Sequence, residues 1–332
     1  MPPFATWIRL LRGVFSDVFY CLSIAGLPTL KAIWNKPSLI FNPRQLSQTF
    51  MAKVWEPFGD GIDQNSRQEK EDLILPWATG VIFEIGAAHG HLAKYLDKYR
   101  VTAYVALEPN ELMHERLRNK ASESGFKEED GTFLLIPSGA EEVEKIEHVL
   151  QEWALKWRRD GKDGRVVDSL VSILTFCSLP PCPTSSWPVR SSTPPADTIR
   201  GLQTRILRPG GQLLFYEHVR SSIPAIARAQ DFLSPVWRSV FDGCTIGVDS
   251  VRAVWEAGFD EGEFTSGAKT NGSVDERMKS GYGLWTEKDG VRFWEPIDEK
   301  EGGWAEMRVW GNKGEDPESL FWHQSGRCVK RH

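Results

Sequence analysis

From about Leu73 onward, short apolar runs alternate with stretches of helical periodicity. Val81–Ile85 predicts a first strand, and Ala88–Tyr99 carries Leu92, Tyr95, Leu96 and Tyr99 at helical spacing. Thr102–Leu107 predicts a second strand, Glu111–Ser122 a helix and Thr132–Ile136 a third strand. Glu141–Arg159 predicts a long helix with Ile146, Val149, Leu150, Trp153 and Trp157 on one face. Ser169–Phe176 is continuously apolar enough for a strand buried on both sides. A Pro/Ser-rich stretch over 179–196 then breaks the pattern and reads as an irregular loop. Order resumes with a helix over Asp197–Leu207, a turn at Arg208–Gly211 (RPGG), a strand at Gln212–Tyr216, and helices over Pro224–Phe241 and Val248–Ala257. The alternation predicts βα units, hence an α/β fold with a mostly parallel, doubly wound sheet. After Phe259 the text turns polar and Gly-rich, although VRFWEPI and EMRVWGN can pair as a hairpin.

Phe4–Leu30 is apolar but interrupted by Arg9, Arg12 and Asp17. The first fifty residues carry five basic side chains (Arg9, Arg12, Lys31, Lys36, Arg44) against a single acid, Asp17. The cleanest apolar window, Gly13–Leu27, falls short of the roughly 20 residues a spanning helix needs. Three readings stay open: a peripheral or monotopic membrane contact with basic flanks, a core-packing or lid helix, and a cleaved signal peptide.

The net charge of −5 carries no basic footprint, so no nucleic-acid partner is expected. The five cysteines, Cys21, Cys177, Cys182, Cys244 and Cys328, form no CxxC pair. They predict a reducing compartment, with no metal site. His89 and His91, two residues apart, do not share a helical face and reinforce that expectation.

The stretch VIFEIGAAHGHL (Val81–Leu92) ends a strand in an acid and strips side chains from the turn after it. Small residues let backbone amides approach a ligand, and parallel sheets bind ligands at the carboxyl ends of their strands. A nicotinamide-binding turn requires G-x-G-x-x-G, but here Gly86 and Gly90 frame G-x-A-x-G and no glycine stands at the third position, His91. A second acid, Glu108, ends the second strand in LEPN.

These residues resemble the class I S-adenosylmethionine-dependent methyltransferases, whose first motif is (D/E)-x-G-x-G-x-G. The membrane-associated alkyl-thiol methyltransferase group and its fungal-type relatives are the nearer resemblance. It is carried by Leu107–Asn110 (LEPN), Leu174–Ser178 (LTFCS), Leu207–Gly211 (LRPGG), Tyr216–Val219 (YEHV) and Phe241–Cys244 (FDGC), within about Val54–Phe259. The chain departs from that group at Ala88, which replaces the central glycine, and at the 179–196 insertion. The apolar C-terminal hairpin of the group is not matched after Phe259, either because a divergent segment replaces it or because the text there is read-through of non-coding sequence. The implied organisation is an N-terminal segment over 1–53, a Rossmann-like methyltransferase domain over 54–259 and a divergent tail over 260–332, with the C-terminal sheet edge unassigned.

The resemblance implies S-adenosyl-L-methionine as cofactor and a small-molecule acceptor, a thiol or a hydroxyl of an apolar metabolite. It puts Gly86, Ala87, Ala88 and Gly90 beside the methionine part of the cofactor, with Glu84 at its amino group. Glu108 would hold the ribose, Pro109 and Asn110 would flank the adenine, Gly139 and Ala140 would lie along its edge, and Thr175 and Cys177 would sit by the methyl group. A thiol acceptor needs little help, because a few per cent of it is thiolate at neutral pH. A hydroxyl needs a general base, for which His218 and then Asp242 are the candidates. The catalytic domain is expected in the cytoplasm, attached to the cytosolic face of the endoplasmic reticulum membrane. A cofactor-binding scaffold that has lost turnover is the alternative, prompted by Ala88 and the altered C-terminus.

Overall fold

The computed structural model of the chain describes residues 4–159, 164–180, 193–259, 283–288, 291–296, 303–316 and 318–332. Most of the 179–196 stretch lies outside them.

Five strands, β1 (Gly80–Ile85), β2 (Val101–Leu107), β3 (Phe133–Ile136), β4 (Val167–Ile173) and β5 (Leu207–Val219), pair in parallel in the order β3-β2-β1-β4-β5. The order reverses between β1 and β4, the switch point at which doubly wound sheets open a crevice. Period-two alternation divides each strand between two cores. Phe83, Val105 and Phe215 pack with helices α5 (Val143–Lys156), α6 (Pro194–Arg205) and α8 (Ser250–Ala257) through Ile146, Leu150, Ile199, Leu202 and Val254. Ile82, Tyr104 and Leu214 pack on the other face with α3 (Arg67–Ile74) and α4 (His114–Glu123) through Leu73, Ile74 and Leu117. Helices cover both faces, so the expected Rossmann-like α/β arrangement is present.

The sheet does not end at Phe259. β6 (Gly283–Lys288), β7 (Val291–Pro296), β8 (Trp304–Gly311) and β9 (Trp322–Lys330) extend it to nine strands in the order β5-β9-β8-β7-β6, all antiparallel. The expected pairing of VRFWEPI with EMRVWGN occurs at Phe293–Trp310 and Trp294–Val309. β9 runs along the whole of Gln212–Val219, so the tail closes the parallel core and the boundary at 259 is not a domain boundary. Its weak sequence signal follows from charged side chains such as Arg308 and Arg327, which stand along these strands with their ion-pair partner Glu306.

Two element expectations are corrected. Ala88–Tyr99 forms only a 3-10 turn over His91–Tyr95, because Ala88 (φ 46°) and Gly90 (φ 77°) hold the chain in left-handed backbone just before it and Leu96 is extended. RPGG is not a separate turn but the bulged start of β5, where Gly210 adopts φ 72° and the pairing with β4 shifts register.

The N-terminal segment is a continuous helix, α1 (Phe4–Asn35), followed by α2 (Pro43–Asn65). Leu10, Cys21 and Ala25 of α1 join Phe50 and Val54 of α2, and Ile226, Leu233 and Trp237 of α7 (Pro224–Val240), in a third core. The outer face is different. Phe19, Leu27 and Trp34 are 74, 78 and 85% exposed, Phe41 and the α7 residues Phe232 and Val236 are exposed as well, and Phe232 meets Trp7 of α1 edge to face. Trp7–Asn35 is long and apolar enough to cross a membrane by length and composition, so the sequence reading understated its reach.

Gly326 of β9 faces Phe215 of β5, where a Cβ would come within 2.2 Å of the ring. Gly326→Ala is therefore expected to destabilise the protein by about 1–3 kcal/mol in denaturant unfolding. An unchanged midpoint would show that β9 does not lock the parallel core.

Candidate functional site

The turn after β1 is shaped by what presses on it. A Cβ at Gly86 (φ 66°) would lie 2.5 Å from the Thr175 methyl, and one at Gly90 would lie 2.7 Å from Leu117. Ala88 tolerates its positive φ because its N–H donates to Glu108 Oε2 at 2.7 Å. The other oxygen of Glu108 accepts from Asn110 N–H at 2.8 Å. This carboxyl is buried, and burial pushes its pKa up to about 7 against the pull of the two amides. Each oxygen retains a lone pair for a further donor.

Glu108 opens onto a cavity of about 1210 Å³ at the carboxyl ends of the parallel strands. Gly86, Ala88, Pro109, Gly139, Ala140, Thr175, Cys177, His218 and Asp242 share its wall, so most of the residues singled out by sequence converge. Glu84, Ala87, Gly90 and Asn110 are not in that wall. Glu84 turns to the face of the sheet it shares with Ile82 and Tyr104, where it accepts the Tyr104 hydroxyl, and burial raises its pKa to about 8. Its position supports β1 and is not aimed at the cavity. Ala87 donates to Leu107 O, and the Asn110 amide donates to Gln48 O of α2 at 3.0 Å, tying the roof to the end of β2.

Between the wall residues Tyr216 and His218, the sequence reading missed Glu217, which is buried behind the wall. Its fully buried carboxylate accepts from Ser172 Oγ (2.7 Å), Thr175 N–H (3.0 Å) and Phe176 N–H (3.2 Å), fixing the loop after β4. Burial pushes it to about 7. The available signal was a third strand-end acid, inside YEHV. His218, next along β5, directs Nδ1 to Ile246 O at 3.3 Å and Nε2 to Cys244 Sγ at 3.4 Å. The Cys244 contact and burial hold the Cys177 thiol well above its ordinary range. Asp242 sits in left-handed backbone after α7, where burial raises its pKa and Arg44 opposes the rise.

The remaining wall comes from the segments flanking the parallel core. Asp17 of α1, Met51, Trp55 and Phe58 of α2, and Trp237 of α7 meet Asn312 and Phe321 from the β8–β9 connection and His323 of β9. His323 stacks on Tyr216 with ring centroids 5.2 Å apart, and Asn312 donates to the Tyr216 hydroxyl. No motif announces these residues, because they reach the cavity only through tertiary packing.

No protein-family model and no curated protein matches the chain. Solved structures with a similar fold include an O-methyltransferase family protein from Burkholderia thailandensis, aligned over 87% of this chain and 59% of that one at 8% identity and a TM-score of 0.43. A putative methyltransferase from Bacillus halodurans aligns over 80% and 100% at 12% identity and a TM-score of 0.42. The N-methyltransferase NodS from Bradyrhizobium japonicum, in complex with S-adenosyl-L-homocysteine, aligns over 81% and 88% at 9% identity and a TM-score of 0.37. The chain thus spans less than two thirds of the Burkholderia protein's length.

The buried acids set a pH dependence. Glu84, Glu108 and Glu217 hold their protons more tightly when folded (about 8, 7 and 7) than their ordinary value of 4.5. The folded state binds more protons in that window, so this contribution to stability is full below about pH 4.5 and is lost as pH rises to 7–8. The melting temperature of ligand-free protein should fall between pH 5 and pH 8, and Glu84→Gln should flatten the slope. A melting temperature that rises across this range in wild type would contradict the raised pKa values that burial gives these acids.

Proposed function

We propose that the chain is an S-adenosyl-L-methionine-dependent methyltransferase acting on the thiol or hydroxyl of a small apolar acceptor at a membrane surface. One observation carries the cofactor assignment: an acid at the end of β2 braces the glycine turn after β1 and still faces the cavity. The residues present fit such a ligand. Glu108 has unused lone pairs for two ribose hydroxyls, Gly86 and Ala88 bring backbone to the wall without bulk, and the cavity exceeds the few hundred Å³ a nucleoside ligand fills. Pro109, Gly139 and Ala140 offer an apolar slot for a base.

When bound, S-adenosyl-L-methionine supplies a methyl group on a good sulfonium leaving group. The chain's part is positioning, since in-line displacement at such a centre depends chiefly on geometry. Glu217 fixes the backbone of Thr175 and Phe176, which keeps Thr175 and Cys177 at the wall. Met51, Trp55, Phe58, Trp237 and Phe321 favour an apolar acceptor and exclude water. For a hydroxyl acceptor, His218 is the base at the wall.

The two-sided α1 supports membrane contact and a lid together. Asp17 faces the cavity while Phe19, Leu27, Leu30 and Trp34 face outward with Arg12, Lys31 and Lys36 near them. Arg9, expected at the headgroups, instead pairs with Asp316 and Glu318 of the C-terminal segment. An interfacial helix of this kind seats aromatic and leucine side chains at the acyl boundary and lets lysines reach the headgroups. Apolar acceptors would then enter from the cytosolic face of a membrane such as the endoplasmic reticulum.

S-adenosylhomocysteine should raise the melting temperature and NADH should not; ligand at 100 times its dissociation constant stabilises by about 2.7 kcal/mol. Glu108→Ala should weaken that binding by about 1–3 kcal/mol. A shift with NADH alone would reject the reading. The acceptor follows from labelled-cofactor assays on thiol and phenol panels. With a hydroxyl acceptor, His218→Ala should cut turnover about 10²-fold at unchanged cofactor affinity. Full-length protein should sediment with membranes until detergent is added, and sedimentation in the soluble fraction would reject the membrane contact.

A further inference from the structure

Three side chains far apart in sequence meet at one end of the cavity. Cys177 lies in the loop after β4, His218 at the end of β5 and Cys244 in the loop after α7. Their sulfur and Nε2 atoms all lie within 4.8 Å of one another. Cys177 and His218 are buried and Cys244 is half-buried, and all three belong to the cavity wall.

We propose that Cys177, His218 and Cys244 form a binding site for a thiophilic divalent ion of the zinc class, with one coordination position left open to the cavity. A tetrahedral ion holds sulfur at about 2.3 Å and imidazole nitrogen at about 2.0–2.1 Å, which spaces its ligand atoms roughly 3.5–3.8 Å apart. The 3.4 Å between Cys244 Sγ and His218 Nε2 falls just short of that edge, and the other two separations are no more than 4.8 Å, so small side-chain rotations close the set on an ion. The orientation of the ring fits as well. His218 Nδ1 lies 3.3 Å from the Ile246 carbonyl, so that nitrogen carries the proton and Nε2 presents its lone pair to the two sulfurs. As a metal-free cluster the trio relies on long contacts: beyond Cys244 and His218 themselves, the Cys177 thiol reaches Leu174 O at 3.8 Å and Ser178 Oγ at 3.6 Å. Two cysteines and one histidine with an open fourth position make a donor set of the catalytic zinc class; structural sites are closed by a fourth protein ligand. The sequence hid this set because its members lie on separate elements, with no CxxC or H-x-x-x-H spacing.

The functional part of the inference rests on the methyltransferase reading and narrows its acceptor to a thiol. The acceptor's sulfur takes the open position as a thiolate, its proton passing to solvent. A sulfur lone pair then forms the new S–C bond to the methyl group as the sulfonium S–C bond breaks, and that electron pair stays on the departing sulfur. The product is a neutral thioether, a weaker ligand than the thiolate, and it leaves.

The test uses full-length protein in detergent with a phosphine reductant. Metal content is measured by mass spectrometry, and Co²⁺ is titrated while thiolate-to-cobalt charge-transfer absorption is followed. The proposal expects about one ion per chain, a charge-transfer band in wild type, and loss of the band in both Cys177→Ser and Cys244→Ser, with circular dichroism confirming that the variants fold. Folded, reduced wild type without stoichiometric metal or band would overturn it, as would a band that survives both substitutions. The melting shift with S-adenosylhomocysteine on the same samples separates the two readings. Metal binding without that shift keeps the site and removes its thiol-methylating role, whereas the shift without metal removes the site alone. With a thiol acceptor, His218→Ala should lower turnover at least tenfold although no general base is needed; an unchanged rate would contradict a coordinating role.

Discussion

The bond from Ala88 N–H to the Glu108 carboxylate is the constraint on which the site depends. It joins the turn after β1 to the end of β2 and stabilises a left-handed residue where most side chains are disfavoured. A helix cannot start until that turn is complete, and the chain manages only a short 3-10 turn before β2. The same carboxylate receives Asn110 N–H, and the Asn110 side chain reaches α2. One buried acid therefore sets the turn, the end of β2 and the anchorage of the roof.

Glu108 belongs to a set of three buried strand-end acids. Glu84 ends β1 and accepts Tyr104, and Glu217 near the end of β5 accepts two amides and a serine from the β4 side. Each ties one strand end to its neighbour, and each is raised by burial into or above the neutral range. Between them lies an apolar roof supplied by the N-terminal helices and the last strands. The roof helix α1 is held on its inner face by the third core and presents bare aromatic and leucine side chains outward. Cavity and apolar surface are thus two faces of one element, which joins the lid and anchor readings.

The parallel core was legible because its strands are apolar on both faces and its helices carry one apolar stripe. Gly86, Glu108 and Thr175 were legible because close backbone approach and strand-end acids leave a mark in the local text. The C-terminal strands were not, since Arg308, Arg327 and Glu306 form ion pairs along them and dilute the alternation. Glu84 satisfied the motif and yet faces Tyr104, because strand alternation sends its side chain to the opposite side of the sheet from Phe83 and Ile85. The Cys177–His218–Cys244 cluster and the aromatic wall from α2 and α7 exist only after folding.

The central claim is that Glu108 is the ribose-binding acid of an adenosyl cofactor. In the free protein its pKa is about 7, so near pH 7 a substantial fraction is protonated. Two hydroxyl donors require the ionised form, and binding must expel that proton. Titration calorimetry of S-adenosylhomocysteine at pH 7, in buffers of different ionisation enthalpy, reads the proton directly. Wild type is expected to release a measurable fraction of a proton on binding, and Glu108→Gln none. Binding without proton release, or release undiminished in Glu108→Gln, would contradict it.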